Sequence, residues 1–479
     1  MQNRREFLKT CLAGGAVLFA GRASGLRFPL GTGMAEDAWD QLPEILARIK
    51  PPVFPDRDFL ITKFGAAGNN TTDCTDAFRR AIDACHAAGG GRVVVPAGEF
   101  ITGAIHLKSN VNLHIASGAT VRFTRDTQKY PVVFTRWEGM ELMNFSPFIY
   151  AFEQENIGIT GQGTIDGNAD CEHWWPWKGR VHCGWKQGTP EQSTDRNQLF
   201  DMAEKGVPVA ERVFGPGHYL RPQFIQPYRC KNVLIEGLTL KNSPMWQVHP
   251  VLCSNVTVRK MTITSASLNL EYGPNTDGCD PESCTDVLIK ECNFDTGDDC
   301  IAIKAGRNAD GRRTNTASRN IVIQGCHMRD GHGGVTIGSE ISGGVKNVFA
   351  ENCRMDSPRL DNAVRIKNNA MRGGLLENIY VRNIDVGQVA MAGLSIDFFY
   401  EEGASGKFTP VVRNVNIRNL ATRKAQYALY LRGFPNAPIE NIHLEDCDFQ
   451  GVAEPNRIEH VNDLSLHNVR INGKLVSQS

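Results

Sequence analysis

The stretch NIVIQGCHM, residues 320–328, decides the fold class of this 479-residue chain. Its apolar and polar side chains alternate with a period of two, which is typical of a strand with one buried face. Further copies begin with Asn or Asp, at intervals of 23 to 36 residues, at positions 232, 255, 286, 347, 378, 414 and 441. Strands this short bury their apolar face only when copies stack. The repeat therefore predicts an all-β fold, a right-handed parallel β-helix (solenoid) with rungs about 4.8 Å apart.

Two positions of the repeat predict stacks along this solenoid. The leading Asn is expected to lie at a turn, where its amide bonds to the equivalent residue of the next coil. Four copies carry cysteine in one slot, namely Cys292, Cys326, Cys353 and Cys447. The chain has 14 Cys, of which 13 would remain after removal of an export signal containing Cys11. Because an odd number argues against a complete disulfide framework, we expect free interior thiols rather than disulfides between rungs.

The segments around the repeats define the domain organisation. Residues 57–472 form the predicted β-helix domain, preceded by residues 24–56 as a linker or N-terminal extension. A helix beginning at Asp73 as N-cap places Ala77, Phe78, Ala81, Ile82 and Cys85 on one apolar stripe. We expect this helix to cap the open N-terminal end of the solenoid. The Trp- and Arg-rich segment of about 167–223 predicts a long loop inserted on one side.

The N-terminus is typical of an exported protein. Residues 1–23 contain Arg4-Arg5, an apolar run from Cys11 to Ala20, and a small residue at Ala23. This pattern predicts a twin-arginine export signal cleaved after Ala23. The apolar run is too short to span a bilayer, so no membrane anchor is expected in the mature chain. We expect a soluble protein, exported already folded, that is periplasmic or secreted.

The overall charge excludes one class of partner. Lys and Arg together number 52, and so do Asp and Glu. A nucleic-acid-binding domain is usually basic, so no nucleic-acid partner is expected. Preference for a charged ligand must therefore arise from local clusters, and the oligomeric state is left open.

Four polar clusters occur where the repeats turn: NTDG at 275–278, GDD at 297–299, GHG at 331–333 and RIK at 365–367. Asp277 and Asp298 are 21 residues apart, and intervals of 33 residues lead from Asp299 to His332 and from His332 to Arg365. Each interval is about one coil, which predicts one column on one face. Three carboxylates crowded together raise the pKa of at least one of them, as glycoside hydrolysis requires.

The other members of the column suggest an anionic substrate. Arg365 and Lys367 are two residues apart on a predicted strand and would face the same side, where they can grip a carboxylate. The three aspartates with His332 offer an alternative, a Ca²⁺ or Zn²⁺ site. The neighbouring cations compete for the same carboxylates, so we expect no metal and no cofactor.

The ordered set NTD, GDD, GHG and RIK on a β-helix resembles glycoside hydrolase family 28, the polygalacturonases. The resemblance covers about residues 57–470 and implies hydrolysis, with inversion, of α-1,4-linked galacturonic acid without a metal. It implies that Asp298 is the general acid and that Asp277 and Asp299 hold and activate water. His332 would maintain the protonation of the acid. Asn275 would orient Asp277, and Arg365, Lys367 and Tyr400 would bind substrate, with Tyr427 and Tyr430 as alternatives to Tyr400.

Within the family, the chain most resembles the bacterial exo-acting branch. The motifs NSPMWQVHPVLC (242–253), GRNADGRR (306–313) and GGVKNVFAENCRMD (343–356) carry this likeness. The resemblance implies a galacturan 1,4-alpha-galacturonidase acting on pectic polysaccharide or oligogalacturonides, with the 167–223 insertion closing one end of the cleft. Arg307, Arg312 and Arg313 are either extra carboxylate contacts or solubilising surface residues.

Other functions remain open on the same scaffold. An endo-polygalacturonase or a rhamnogalacturonan hydrolase would keep the catalytic set. A Ca²⁺-dependent pectate lyase or a non-catalytic carbohydrate-binding β-helix fits the column less well.

Overall fold

A computed structural model describes residues 38–179, 185–265 and 272–478. The described helices are α1 (Leu42–Arg48), α2 (Thr75–Ala87), α3 (Ser193–Glu204) and α4 (Asn308–Thr314), with short 3₁₀ turns at Ile61–Phe64, Thr127–Lys129, Trp175–Lys178 and Val209–Glu211.

The largest sheet has 24 strands that stack coil on coil. They are β1 (Asp58–Leu60), β2 (Asn69–Asp73), β3 (Gly91–Val95), β4 (Gly98–Thr102), β6 (Val111–Ile115), β7 (Ala119–Phe123), β11 (Glu155–Gly161), β12 (Thr164–Asp166), β14 (Lys231–Glu236), β15 (Thr239–Lys241), β16 (Ser254–Arg259), β17 (Thr262–Thr264), β18 (Thr285–Lys290), β19 (Asn293–Asp295), β21 (Ser318–Gln324), β22 (His327–Met328), β24 (Val345–Glu351), β25 (Arg354–Met355), β27 (Leu375–Val386), β29 (Val411–Thr422), β31 (Ile439–Glu445), β32 (Asp448–Phe449), β34 (Val461–Ile471) and β35 (Lys474–Gln478).

The remaining strands form a further face and one hairpin. The face contains β5 (Ile105–His106), β10 (Ile149–Phe152), β13 (Ile225–Tyr228), β20 (Ile301–Ile303), β23 (Gly331–Ile337), β26 (Leu360–Lys367), β28 (Ala392–Asp397), β30 (Tyr427–Arg432) and β33 (Arg457–Glu459), and the antiparallel hairpin contains β8 (Val132–Trp137) and β9 (Met140–Phe145).

The register confirms the predicted parallel β-helix. Val287 of β18 lies opposite Ile321 of β21, which lies opposite Val348 of β24 and then Ile379 of β27. All four side chains are fully buried. Burying an aliphatic side chain of this size contributes about 1.5–3 kcal/mol, so each coil is stabilised mainly by the apolar stack that it shares with its neighbours.

The leading asparagines form the predicted ladder. Asn320 Nδ2 donates to Asp286 at 2.8 Å, Asn347 to Asn320 at 3.2 Å, and Asn378 to Asn347 at 3.0 Å. Each of these residues has φ between +56° and +61°. Asn and Asp tolerate this left-handed conformation better than other side chains with a Cβ, which explains why these residue types recur at the turn.

The interior thiols also follow the prediction. Cys292, Cys326, Cys353 and Cys447 are free and buried. Cys230, Cys253 and Cys284 form a further stack of free thiols, which the sequence pattern did not single out. The backbone N–H of Cys230 donates to the sulfur of Cys253 at 3.3 Å, and that of Cys253 donates to the sulfur of Cys284 at 3.4 Å. Cys171, by contrast, is disulfide-bonded. The thiols of the coils therefore behave as small apolar side chains.

Helix α2 packs across the first coils as the predicted cap, with its apolar stripe buried. It begins at Thr75 rather than Asp73. Asp73 accepts hydrogen bonds from the amide and hydroxyl of Thr75 at 2.9 and 2.5 Å. It therefore caps the helix from the residue before the N-cap position, which Cys74 occupies.

The N-terminal extension has a fixed place where residues are described. Helix α1 buries Leu42 and Ile45 against Val322 and Phe349 on the outer face of the coils. Residues 38–56 thus hold secondary structure and apolar contacts that a linker would lack. The expected export signal at residues 1–23 lies outside the described residues, and none of the described helices is long and apolar enough to cross a membrane.

The inserted segment is more ordered than the predicted loop. It contains the 3₁₀ turn at Trp175–Lys178 and the twelve-residue helix α3. Trp175 is fully buried and donates to the carbonyl of Ser243 at 2.9 Å. The segment is therefore held against the solenoid beside the face described next.

One face of the solenoid runs without a break past this insertion. Strand β13 continues through single bridges from Ile225 to Val248, from Val248 to Cys279 and from Cys279 to Ile301 of β20. Strands β20, β23, β26, β28, β30 and β33 then pair in parallel. The four polar clusters lie along this face on successive coils.

Candidate active site

The structure brings the four clusters into the predicted column. Ile301, which follows the GDD cluster, pairs with Val335 after GHG, and Val335 pairs with Val364 before RIK. Asp298 and Asp299 lie in a bend before β20. Asp298 faces the cleft, whereas the side chain of Asp299 is fully buried.

Glycine residues allow this close packing of the clusters. A Cβ at Gly297 would collide with the backbone oxygen of Gly273, and a Cβ at Gly333 would collide with Thr336 and press on the carboxylate of Asp299. The glycines of GDD and GHG are therefore required by the crowding of neighbouring coils around the carboxylates.

Asp277, Asp298 and Asp299 form one carboxylate cluster, with an oxygen of each within 4.8 Å of the others. The side chain of Asp298 is 16% exposed, whereas that of Asp277 is 4% exposed and that of Asp299 is fully buried. Asp299 accepts hydrogen bonds from Lys367 at 2.6 Å and Thr336 at 3.0 Å. Asp298 is therefore the carboxylate most open to a ligand.

The cluster divides its protons unevenly. Burial, reinforced by the negative charge of Asp298, raises the pKa of Asp277 to about 8. Burial also acts to raise the pKa of Asp298, but the charge and hydrogen bond of His332 outweigh it and hold that pKa below its usual range. The expectation that crowding would raise the pKa of at least one aspartate is thus met at Asp277. In this resting geometry, the cluster keeps one proton at neutral pH.

His332 pairs with the exposed side of the cluster. Its Nδ1 lies 3.0 Å from Asp298 Oδ1, and its side chain is 51% exposed. The negative charge of Asp298 raises the pKa of His332 to about 9. The imidazole is therefore protonated at neutral pH and can control the ionisation of Asp298.

Asn275 has a different partner from the one expected. Its amide donates to Asp298 Oδ2 at 3.3 Å rather than to Asp277, and its carbonyl accepts from Arg221 at 2.8 Å. Arg221 is fully buried and also donates to the carbonyl oxygens of Pro244 and Pro274. Asn275 thus orients the exposed aspartate, and Arg221 fixes the loop that carries Asn275.

A buried cation beneath the cluster was missed by the sequence reasoning. The Lys304 ammonium lies 3.5 Å from Asp277, 3.7 Å from Asp280 and 3.2 Å from Glu340. It also lies 4.1 Å from the ring centre of Trp246. Burial acts to lower the pKa of Lys304, but these carboxylates raise it well above its usual range. Lys304 directly follows β20, and its position under the carboxylates is set by a single bridge to Glu282 of the preceding coil.

Asp280 is a second buried carboxyl that no motif marked as part of the site. It is fully buried, and burial followed by the charge of Asp277 raises its pKa well above the usual range. An ionised carboxylate without hydrogen-bond donors is costly in such a place. Asp280 therefore extends the buried polar layer under the cleft, with its carboxyl group 3.7 Å from the Lys304 ammonium.

The proposed substrate-binding residues lie together beside the cluster. Arg365 Nη1 is 3.5 Å from Asp299 Oδ1, and the Lys367 ammonium is 2.6 Å from Oδ2. The ring of Tyr400 lies 5.5 Å from the Arg365 guanidinium and 5.1 Å from the Lys367 ammonium. Tyr400 lines the cleft, whereas Tyr430 is one coil further along, opposite Ser395. This geometry favours Tyr400 over the alternatives.

The three arginines of the 306–313 motif have separate roles. Arg307 is buried at the cleft wall and pairs with Glu340 at 3.4 Å and with Glu401 at 3.2 Å. Arg312 stacks on Phe408 with 3.5 Å to the ring centre, and Arg313 pairs with Glu141 at 2.7 Å. Only Arg307 of these three lines the cleft, and all three make specific contacts within the protein rather than serving as a solubilising surface.

The cluster opens into a cleft of about 320 Å³. One wall comes from the insertion, through Lys178 and Arg196, and from the hairpin of β8 and β9, through Glu138 at its tip. Arg196 pairs with Glu138 at 2.7 Å and ties the insertion to the hairpin. Tyr400 and Glu401 also line the cleft, and Arg307 pairs with both Glu138 and Glu401. The insertion thus contributes two cations to the lining of the cleft.

The carboxylates are close enough together to hold a cation. Within the described ranges, however, their oxygens already face Lys304, Arg365, Lys367 and His332 at 2.6–3.5 Å. The donor set is therefore paired with protein cations, which fits poorly with a metal ion between the same oxygens.

Comparison with known proteins identifies the family. Residues 217–469, which contain all four clusters, match the model of Glycosyl hydrolases family 28. The chain belongs to this family.

Proteins named as polygalacturonases are similar to this chain over most of its length. The solved structure of a hyperthermoactive exopolygalacturonase from Thermotoga maritima is 45% identical, with a TM-score of 0.88, and the match covers 92% of this chain and 97% of that one. A Vitis vinifera protein named "Probable polygalacturonase" is 28% identical over 415 residues, 83% of this chain and 75% of its own length. Exo-poly-alpha-D-galacturonosidase of Dickeya chrysanthemi is 26% identical over 360 residues, 71% of this chain but 57% of that protein.

Proposed function

We propose that the protein is an exo-acting polygalacturonase, which hydrolyses α-1,4-galacturonosidic bonds and releases galacturonic acid from the chain end. Family membership together with the carboxylate cluster supports glycoside hydrolysis. The single observation that carries the exo assignment is the 45% identity to the Thermotoga maritima exopolygalacturonase over nearly the whole of both chains. The substrate is a pectic polysaccharide or an oligogalacturonide.

Each residue of the cluster has a defined task in this reaction. Asp298 faces the cleft and protonates the departing glycosidic oxygen, using the proton that the cluster retains. Asp277 and Asp299 hold the attacking water and take up its proton. Donation of the proton leaves Asp298 ionised, and the positive charge of His332, 3.0 Å away, stabilises this carboxylate. No step requires a metal.

We propose inversion at the anomeric carbon. Inverting enzymes typically separate their two carboxyl groups by roughly 6.5–9.5 Å. The oxygens here lie within 4.8 Å of one another, but they belong to three carboxylates rather than two. A water held jointly by Asp277 and Asp299 can attack the face opposite to the bond that Asp298 protonates.

The cations beside the cluster support an acidic substrate. Arg365 and Lys367 are both held by Asp299 and leave donor hydrogens for a ligand carboxylate. A neutral glycan offers nothing to this pair. A rhamnogalacturonan keeps a galacturonate next to the cleaved bond and is the second candidate substrate on this observation.

The first experiment is product analysis on polygalacturonate with and without EDTA, comparing the wild type with Asp298→Asn. We expect saturated galacturonic acid monomer from the start, unchanged by EDTA and lost in the variant. Asp385→Asn is the matched control, because Asp385 pairs with Arg423 on an outer sheet. A ladder of oligomers would overturn exo action, and unsaturated, EDTA-sensitive products would indicate a Ca²⁺-dependent lyase. Absence of product from polygalacturonate but release from rhamnogalacturonan would change the substrate.

We also propose export through the twin-arginine route, which rests on residues 1–23 of the sequence. Replacing Arg4-Arg5 by Lys-Lys should retain the protein in the cytoplasm of the expressing cell. Fractionation of cells with intact and altered signals checks this, and equal export of both forms would contradict it.

A further inference from the structure

Lys178 differs from the other cations of the cleft wall. Arg196 pairs with Glu138 at 2.7 Å, Lys304 with Glu340 at 3.2 Å, Arg307 with Glu340 at 3.4 Å, and Lys367 with Asp299 at 2.6 Å. Among the residues for which the structure gives contacts, Lys178 lines the same cleft without a carboxylate oxygen within 4.0 Å. It is half-buried, so its ammonium is partly removed from water.

The nearest carboxylates do not satisfy this ammonium. The Glu138 carboxylate lies on the same wall, but it is engaged by Arg196 at 2.7 Å and Arg307 at 3.6 Å. Burial lowers the pKa of Lys178, and the charges of Glu138 and Asp298 oppose this only in part. A carboxylate entering the cleft would restore the charge partner that the protein leaves out.

The position of Lys178 complements that of Arg365 and Lys367. Lys178 comes from the insertion between β12 and β13, on the coils that precede the carboxylate cluster. Arg365 and Lys367 lie on β26, on the coils that follow it. By the order of the coils, the two cation sites lie on either side of Asp298. A galacturonide that spans the cleaved bond has one carboxylate on each side of that bond, and each would meet one of these sites.

We propose that Lys178 binds the carboxylate of the terminal galacturonate, the sugar that is released, and makes the enzyme select an acidic chain end. The inference rests on the proposed function and adds a specificity-determining residue on the insertion. Arg196 and Glu138 hold the wall in place, and Lys178 is the member of the wall whose charge is free for substrate.

The test compares digalacturonate with its analogue methyl-esterified on the non-reducing sugar. The variants are Lys178→Gln, which removes the charge, and Lys178→Arg, which keeps it. Lys205→Gln is the matched control, because Lys205 belongs to the same insertion, is exposed and pairs with Asp201. The readout is kcat/KM on each substrate, together with inhibition by free galacturonate and by galactose.

For Lys178→Gln we expect kcat/KM on digalacturonate to fall by about 10- to 100-fold, the usual value of a charge-assisted hydrogen bond, while activity on the ester stays within about threefold. Inhibition by galacturonate should weaken in parallel, inhibition by galactose should not change, and Lys178→Arg should retain more of the acid preference. Equal losses on both substrates, or no loss on either, would overturn the assignment. Wild-type protein that releases no galacturonate from digalacturonate would overturn the proposed function, and this inference with it.

Discussion

Asp298→Asn tests which carboxylate gives its proton to the leaving group. The amide keeps the size of the side chain but cannot act as an acid. General-acid catalysis contributes about 10²–10⁴-fold, or about 2.7–5.4 kcal/mol of activation free energy, so kcat on digalacturonate should fall by that factor. An aryl α-galacturonide with a good leaving group needs little protonation, so the same variant should lose less than about tenfold on it. Asp277→Asn and Asp299→Asn should lose activity on both substrates, because they remove the support of the attacking water.

The pH dependence of kcat/KM gives a second quantitative test of proton donation to the leaving group. The pKa of Asp277 is about 8, raised by burial and by Asp298, so about 99% of molecules carry this proton at pH 6 and about 9% carry it at pH 9. Wild-type kcat/KM on digalacturonate should therefore fall about tenfold per pH unit above pH 8. On the aryl substrate this alkaline decline should be much weaker, because the proton is then dispensable.

Initial rates on the two substrates from pH 5 to pH 9.5 check both statements. Each variant is compared with the wild type on the same substrate, because the aryl group lacks the carboxylate that Arg365 and Lys367 bind. An Asp298→Asn variant with equal losses on both leaving groups would refute its role as the acid. If Asp277→Asn alone recovered on the aryl substrate, the acid would be Asp277, where the resting structure holds the proton.

Three further predictions concern stereochemistry, binding and the fold. Proton NMR during the first minutes of digalacturonate hydrolysis should show the β anomer of the released sugar; initial α anomer would mean retention. Lys367→Gln should lower kcat/KM on digalacturonate by about 100-fold, since it removes a cation bound 2.6 Å from Asp299, whereas Lys346→Gln on an outer sheet should change it less than twofold. Asn347→Ala should lower the free energy of unfolding in urea by about 2–3 kcal/mol, because it loses two ladder hydrogen bonds and strains a residue at φ +56°; a loss under 0.5 kcal/mol would contradict the ladder's role.

The predictable features of this protein are those that repeat. Asn320 and Cys326 occupy fixed positions in several copies of the repeat, so the sequence pattern alone predicts that they stack on their equivalents. The column of Asp277, Asp298, His332 and Arg365 followed because each motif lies about one coil from the next.

The remaining site residues could not be predicted because they occur once and come from other parts of the chain. Lys304 and Asp280 face the carboxylate cluster only because single bridges set the register of neighbouring coils. Arg221 reaches Asn275 from the end of the insertion, and Glu138 reaches Arg307 from the tip of a hairpin. No local motif encodes such contacts. The actual partner of Asn275, Asp298 instead of Asp277, likewise depended on side-chain directions that spacing does not give.

The coils of this solenoid contain different numbers of residues, but their strands stay aligned with those of the neighbouring coils. Twenty-one residues separate Asp277 from Asp298 and 33 separate Asp299 from His332, although each pair spans one coil. The strands are held by their neighbours, so extra residues emerge at the turns without shifting the face that carries the chemistry. The catalytic residues therefore belong to the stacked face, whereas the walls of the cleft come from segments inserted at the turns. A family built on this plan can lengthen, shorten or exchange the walls of its cleft, and so change which polymers enter and where they are cut, while the aspartates stay where they are.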